Sequence, residues 1–406
     1  MRLLNKYPTI TSGGVDYTNT TIIQYSDKWV IAQRDELSIA VQSGLLLISY
    51  DNSITFPVTK AFANADKVIN GYVFRNGNIM LSTIDNKIYL TNYNLDFITE
   101  KIVYKADGVT PYPIHVPQEA LNPGRYFYTH KYMESTEATD IYIFGNYCNV
   151  NNGAAPVIMV YTADFGVTWK ISYEFGQLYR DNGGSGGSTT IGTLLGDVNN
   201  PVLTRHTHHV EYSPENNKWY CFTGDHNSTE IHWLEGVYDE INDIWTWVVI
   251  NFNITITEQS RLKSTEMSFY NEYLYYCTDS TGISVSNDEN GIWRVPINSI
   301  ADINTHVKII DFPDYRDVCS NLKIDKNSGN ILFTVITEST GDTDTIGIAT
   351  NFGEGEVQYK TFPGMAFIRL NSPNSAGFFR LDTNRTLTLQ NKSFLIKVGF
   401  DLFNNM

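Results

Sequence analysis

The sequence predicts an all-β protein, a single β-propeller of four-stranded antiparallel blades, and three observations carry that expectation. Aromatic residues are abundant, with 26 Tyr, 21 Phe and 7 Trp in 406 residues, and such side chains suit a pleated, half-buried surface better than a helix. No stretch sustains a helical apolar period. The short alternating runs also recur as units: a strand, a polar turn, a second strand, a longer loop, and a third strand ending near an Asp-type turn. About seven such units fit the length, with six as the second count. One domain spanning residues 1–406 is expected.

Taken in order, the first unit covers about residues 21–59, with strands at Lys28–Ala32 and Leu45–Ser49 and a turn at Ser49–Phe56. The second, about 71–105, has strands at Gly71–Phe74 and Lys87–Leu90, then a weaker Asp-type turn at Thr91–Asn94. Asp140–Tyr147 and Pro156–Tyr161 belong to the third. Between third and fourth lies Asp181–Ser188, a glycine-rich run. It lacks the Gly-Lys-Ser/Thr ending of a phosphate loop and reads as a flexible surface segment. The fourth unit begins at Arg205–Tyr212 and runs through Trp219–Phe222 to Trp245–Trp247. Glu272–Asp279 and Gly291–Val295 mark the fifth; Gly329–Val335, Thr345–Ala349 and Thr350–Gly353, a degenerate Asp-type turn with Asn for Asp and no following Trp, mark the sixth. The seventh is short, with Phe378–Leu381, Thr386–Leu389 and Phe394–Val398. It lacks a fourth strand, and the N-terminal segment Thr9–Asn19 is expected to supply it, closing the ring and removing the exposed edges.

The most specific stretch is Thr162-Ala163-Asp164-Phe165-Gly166-Val167-Thr168-Trp169. An Asp just past a strand folds its carboxylate onto loop amides, Gly166 supplies a positive φ, and Thr168 and Trp169 start the return strand. Every fixed position matches Ser/Thr-x-Asp-x-Gly-x-Thr-Trp, so the chain resembles the Asp-box (BNR-repeat) sialidase-like β-propellers. That resemblance implies a structural role for Asp164, Gly166, Thr168 and Trp169 at the blade periphery, away from any active site.

Composition excludes several classes. A net charge of −15 opposes nucleic-acid backbones and anionic membranes, which need clustered Lys and Arg. No apolar run approaches the roughly 18 residues of a membrane-spanning helix, so no membrane insertion is expected. The N-terminal Met1–Pro8 has no apolar core of a secretory signal. Cys148, Cys221, Cys277 and Cys319 contain no Cys-x-x-Cys pair, which removes zinc and dithiol motifs. Cys221 and Cys277 read as small buried fillers in equivalent register.

Chemistry concentrates at Arg205-His206-Thr207-His208-His209. Strand alternation sends His206 and His208 to one side and Arg205, Thr207 and His209 to the other. Two imidazoles so placed can share a divalent metal or a substrate, or hydrogen-bond inside the propeller; both readings stand, and no other cofactor is expected. Further polar groups fall near the starts of units: His115, Arg125 and His130; Arg261, Lys263 and Glu266; Arg316 and Asp317. Converging inner strands bring such groups to one channel mouth, where Arg205, Arg261, Arg316 and Glu266 are expected to bind ligand, the arginines by bidentate contacts to carboxylated sugars. The Gly145-Asn146-Tyr147 segment, the Asp-box, Arg-His-x-His and Tyr220–Asp225 occur in an order similar to sialidase-like propellers of bacterial glycan processing. The full sialidase catalytic set does not map. By analogy with propeller polysaccharide lyases, Tyr147, His206 and His208 are the catalytic candidates, with Arg261 beside the uronate.

The expected function is recognition of a cell-surface or acidic glycan at the channel mouth. An extracellular or virion setting, as a phage tail or fibre-associated adhesin, fits the resemblance without a signal peptide, with virion or homo-oligomer partners. A lyase or glycoside hydrolase is the first alternative. A structural virion component without a sugar site is the second.

Overall fold

The structure of the protein is a computed structural model that describes residues 22–26, 28–51, 53, 55–83, 87–112, 140–145, 157–177, 195–197, 199–204, 206–224, 230–254, 258–279, 289–312, 317–337, 343–363, 366–370, 378–385 and 390–397. Its strands follow the alternating runs. Strand β1 (Ile22–Ser26) is set apart. Sheet 1 comprises β2 (Trp29–Arg34), β3 (Leu37–Gln42), β4 (Leu45–Ser49) and β5 (Val58–Ala61), and sheet 2 comprises β6 (Val68–Val73), β7 (Asn78–Thr83), β8 (Ile88–Asn92) and β9 (Ile98–Lys101). Sheet 3 contains β10 (Val103–Tyr104), β11 (Tyr142–Gly145), β12 (Ile158–Thr162) and β13 (Trp169–Glu174); a two-stranded ribbon, β14 (Gly176–Gln177) with β15 (Leu195–Gly196), follows it. Sheet 4 is β16 (Thr207–Ser213), β17 (Lys218–Thr223), β18 (Trp233–Asp239) and β19 (Ile244–Val249); sheet 5 is β20 (Ser264–Tyr270), β21 (Tyr273–Thr278), β22 (Gly291–Pro296) and β23 (Val307–Asp311). Sheet 6 is β24 (Asp317–Asp325), β25 (Asn330–Thr337), β26 (Thr343–Ala349) and β27 (Val357–Pro363). In sheet 7, β28 (Ala366–Leu370), β29 (Phe378–Arg385) and β30 (Gln390–Lys397) are completed by β1.

Neighbouring sheets touch through their inner strands: β2 with β6, β16 with β20, β20 with β24, and β24 with β28; β11 meets β16, and β30 returns to β2. Tyr72 of sheet 2 stacks on Tyr142 of sheet 3 at 4.1 Å between ring centroids. The result is a closed β-propeller. Among the described residues seven sheets have four strands. Six of them are antiparallel throughout, the second of the two expected counts; sheet 3 is mixed, because β10 runs parallel to β13. Longer helices are absent among the described residues, the one α turn being Gln259–Leu262, and no helix there is long and apolar enough to cross a membrane.

Closure by an N-terminal strand is as expected, with a different segment. Ile22–Ser26 pairs antiparallel with β30, Tyr25 opposite Phe394, so residues assigned from sequence to the first unit belong to the last sheet. Thr9–Asn19 and Thr386–Leu389 lie outside the described residues. The cysteine register also needs correction. Thr223 and Thr278 occupy equivalent positions, and Phe222 and Cys277 follow them. Cys221 is therefore one residue out of register with Cys277 and faces the other side of its sheet. Both are fully buried, as is Cys319; Cys148 lies outside the described residues.

The core lies between sheets, as radial packing requires. Trp233 of sheet 4 meets Tyr276 of sheet 5 edge-on at 4.9 Å, and Tyr220 of sheet 4 meets Phe269 of sheet 5 at 5.1 Å. The Asp-box turn fastens the outer parts. Asp164 Oδ1 accepts from Thr162 Oγ1 at 2.8 Å and from Thr168 N at 2.8 Å, while Thr168 Oγ1 donates to Asp164 Oδ2 at 2.6 Å. Gly166, at φ 85°, donates its N–H to Thr162 Oγ1 at 2.9 Å. Trp169 is fully buried, donates Nε1–H to Gly166 O at 3.0 Å, and meets Phe144 edge-on at 5.8 Å.

Ser49–Phe56 repeats the carboxylate and hydroxyl bonds of this network, with Phe56, which has no donor, in the place of Trp169. Asp51 accepts from Ser49 Oγ at 2.7 Å, Thr55 N at 2.8 Å and Thr55 Oγ1 at 2.7 Å, with Ser53 taking the glycine position at φ 69°. The weaker turn at Thr91 retains the amide bond four residues on, Asp96 N to Asn92 Oδ1 at 3.0 Å, and a positive φ at Leu95. Thr350–Gly353 departs from the pattern: a 3₁₀ turn closes through Glu356 N donating to Thr350 Oγ1 at 3.0 Å, and Phe352 stacks on Tyr270 at 4.8 Å. Phe165 O accepts from Asn78 Nδ2 at 3.0 Å, so the Asp-box docks on the β6–β7 hairpin. That hairpin lies at the far end of its inner strand, on the face opposite the one where inner strands begin.

Trp169→Ala should cost about 3–5 kcal/mol by emptying a close-packed site and leave ligand affinity at the opposite face unchanged. Urea denaturation checks this; a variant of parental stability with weakened ligand binding would overturn the structural assignment.

Candidate functional site

Six of the seven inner strands, all but β11, share one irregularity. Their pairing with the second strand skips a residue at the same height: between Val30 and Ala32, Val68 and Asn70, Thr207 and His209, Ser264 and Glu266, Cys319 and Asn321, and Phe367 and Arg369. A bulge of this kind leaves one residue unpaired and re-aims its side chain. In sheets 4 and 5 the bulged residue reaches the next sheet. His208 Nδ1 lies 2.7 Å from Ser264 O, the carbonyl just before the following bulge, and Thr265 Oγ1 donates to Cys319 O, the corresponding carbonyl of sheet 6. His208 therefore ties sheet 4 to sheet 5.

The expected meeting of the two imidazoles occurs. His206 Nε2 and His208 Nε2 are 3.0 Å apart, with ring centroids at 4.9 Å and planes 31° apart. A carbonyl only accepts, so His208 carries its proton on Nδ1, and in the neutral pair His206 Nε2–H donates to His208 Nε2. His206 is buried and His208 half-buried at the end where the inner strand begins. Lys263, two residues before the bulge as His206 is, pairs with Asp279 at 3.2 Å and is also buried. No group of three or more His, Cys, Asp or Glu side chains suited to hold a metal ion occurs among the described residues.

Two of the expected ligand-binding residues have partners within the fold. Arg261 donates to both Glu289 oxygens, at 2.6 and 3.1 Å, and to Ile303 O at 3.2 Å, while stacking on Trp293 at 4.2 Å. Glu266, fully buried, accepts from Leu322 N at 2.6 Å and pairs with Lys323 Nζ at 3.1 Å, joining sheets 5 and 6. Tyr147, Arg205, Arg316, His115, Arg125 and His130 lie outside the described residues. Asp317 begins β24.

Sequence reading set His209 on the side of the strand opposite His206 and His208 but missed its pairing with Glu211. His209 Nε2 is 2.7 Å from Glu211 Oε2, with side-chain exposures of 0% and 16%. Burial pushes the Glu211 carboxyl up to about 7, against the opposing effect of Lys323 and Lys326. The signal was a His-x-Glu pair at strand spacing just after the bulge. That height is polar in four sheets: Asn70, His209, Glu266 and Asn321 are all buried there.

No family model matches the chain, and no curated protein matches it. Among solved structures it is similar to YCF48 bound to a D1 peptide, with a TM-score of 0.48 and 9% identity over 93% of this chain and 97% of that one. YCF48 from Cyanidioschyzon merolae gives 0.45 and 10% over 91% and 96%. The WD40 β-propeller domain of Doa1 gives 0.47 and 11% over 93% and 95%. The propeller assignment rests on the sheet order and ring contacts above.

Glu211 gives a pH signature. Its folded value, about 7, exceeds the ordinary 4.5. Its contribution to stability is thus full below pH 4.5 and is lost as pH rises through 7. Glu211→Gln should remove that loss, gaining on the order of 2–3 kcal/mol over the parent at pH 8 relative to pH 4. Denaturation at both pH values checks it; an equal parent–variant difference at each contradicts the assignment.

Proposed function

We propose that the protein is a carbohydrate-recognising propeller of the sialidase-like kind, binding its ligand at the channel mouth around His206 and His208, as a virion tail or fibre-associated adhesin would. The observation that carries the reading is the imidazole pair at the start of the inner strand of sheet 4, its Nε2 atoms 3.0 Å apart and His208 half-buried at the opening. Planar, uncharged rings at a concave opening suit the apolar face of a sugar.

Binding is favoured over catalysis by the bonding of His208. Nδ1 donates to Ser264 O and Nε2 faces His206, so this imidazole has no vacant nitrogen to take a proton from substrate. A neutral glycan fits better than an acidic one. Arg261, the described arginine of the expected set, is held by Glu289, and a net charge of −15 opposes a polyanion.

The test is a glycan array followed by titration of the best ligand into the parent and into the His206→Gln, His208→Gln double variant. Gln can still donate to Ser264 O, so the melting temperature should move by only a few degrees while affinity falls about tenfold or more. Chelator should leave binding intact, and neither reducing ends nor unsaturated uronate absorbance should form. Unchanged affinity in the folded double variant sinks the site; product formation by the parent, lost in the variant, restores the enzyme reading.

A further inference from the structure

The outer edge of sheet 4 differs from the other perimeter strands. Most of those carry a charge or a proline that discourages pairing with another chain: Lys60 in β5, Glu100 and Lys101 in β9, Lys308 and Asp311 in β23, Lys360 and Pro363 in β27. Strand β10 has two residues and β1 has five. Strand β19, six residues long, reads Ile-Trp-Thr-Trp-Val-Val with neither device, and no strand among the described residues pairs with its far side.

Its backbone and side chains are both set to receive a strand. Ile250 N donates to Trp233 O at 2.8 Å. By antiparallel alternation Ile244, Thr246 and Val248 turn their backbone groups to β18, and Trp245, Trp247 and Val249 turn theirs to the free edge. On the exposed face Ile244 and Val248 are 57% and 59% accessible, flanked by Val237 at 46% and Ile241 at 94%. The other face is clamped: Trp245 and Trp247 stack at 5.3 Å with planes 12° apart, and Trp245 meets Tyr161 of sheet 3 at 5.5 Å. Gly236 permits this, because a Cβ there would come within 2.6 Å of the Trp247 ring. The edge is therefore held in extended form before any partner arrives.

We propose that β19 is a homodimerisation edge, pairing antiparallel with β19 of a second copy of this chain about a two-fold axis at Thr246. The strand is self-complementary in that register. Ile244 lies opposite the partner's Val248, Thr246 opposite the partner's Thr246, and the outward backbone groups of Trp245 meet those of the partner's Trp247. Apolar and Thr–Thr cross-strand pairs of this kind stabilise antiparallel ribbons, and a two-fold contact must match itself in this way. Charge agrees. The acidic residues Asp239, Glu240 and Asp243 precede the strand, so antiparallel pairing carries those of the two copies to opposite ends and sets Asp243 against the partner's Val249.

Sedimentation velocity on the full chain, up to about 100 µM, tests the proposal. The parent should show a species of twice the chain mass. Its affinity should rise with salt, because added salt screens the repulsion between two copies of net charge −15. Thr246→Lys and Thr246→Glu, both at an exposed position, should each keep the parental melting temperature and weaken dimerisation tenfold or more by placing like charges face to face. Mixing the two variants should restore the dimer, since opposite charges then meet. A monomeric parent overturns the proposal. So does a dimer indifferent to both substitutions, which would place the interface elsewhere, or a pair of monomeric variants that mixing does not rescue.

Discussion

The ring depends on the bulge near the start of six of its seven inner strands, β11 being the exception. A radial sheet has no hydrogen bond to its neighbour through the backbone ladder, so blades are joined by side-chain packing and by the polar groups a side chain can carry across. At the bulge a residue leaves the ladder and becomes available for that purpose. His208 takes it up toward Ser264 O, and Thr265 toward Cys319 O. One residue further on, Glu266 accepts from Leu322 N and meets Lys323. Sheet 4 is thus stitched to sheet 5 once and sheet 5 to sheet 6 twice, close to one height. Because a buried polar group left without a partner costs roughly 1–3 kcal/mol, each stitch also penalises any slip of one sheet against the next.

The opposite face is held by different chemistry. There the turn between strands bends back on its own carboxylate, as Asp164 and Asp51 do, and an aromatic residue is driven beneath it. Trp169 meets Phe144, and Phe56 packs on Val30, Ala40 and Leu47 with Lys28 at 5.2 Å over its ring. These are local devices, each satisfied within about eight residues of chain, and they leave the face of the inner-strand starts without any structural need for such turns. A fold fastened locally at one face and across sheets at the other has its freedom to vary in the loops around the mouth.

How far the sequence could be read follows from the same division. The Asp-box was legible because its residues bond to one another within one turn, and Ser49–Phe56 was legible despite two substitutions since Asp51, Thr55 and the turn geometry survive. Thr350–Gly353 misled because a Thr, an Asn and a Gly suffice for a different turn, one that closes on Glu356 N. Closure was legible in kind, an edge strand being needed, but pairing register between residues some 370 apart leaves no local trace, and Tyr25 rather than a residue before Asn19 lies opposite Phe394. The bulge was invisible for a related reason: a skipped residue is a property of two paired strands. The pairing of His209 with Glu211 was passed over, and Cys221 and Cys277 were aligned one residue apart from their true equivalence.

The histidine cluster shows why the site was only half legible. Strict alternation predicts that His206 and His208 share a side, and they do; it says nothing of what else each ring touches. His208 is at once the stitch to sheet 5 and the half-buried member of the mouth. A ligand that meets it meets the face of a ring whose tautomer is set by Ser264 O. That constraint limits the chemistry available: an imidazole fixed with its proton on Nδ1 and its Nε2 against another imidazole is oriented and rigid. Rigid, preorganised groups lower the entropy lost on binding, whereas a proton-transferring base needs a vacant lone pair within reach of substrate. The bonds to Ser264 O and to His206 thereby take both nitrogens of His208 away from proton transfer.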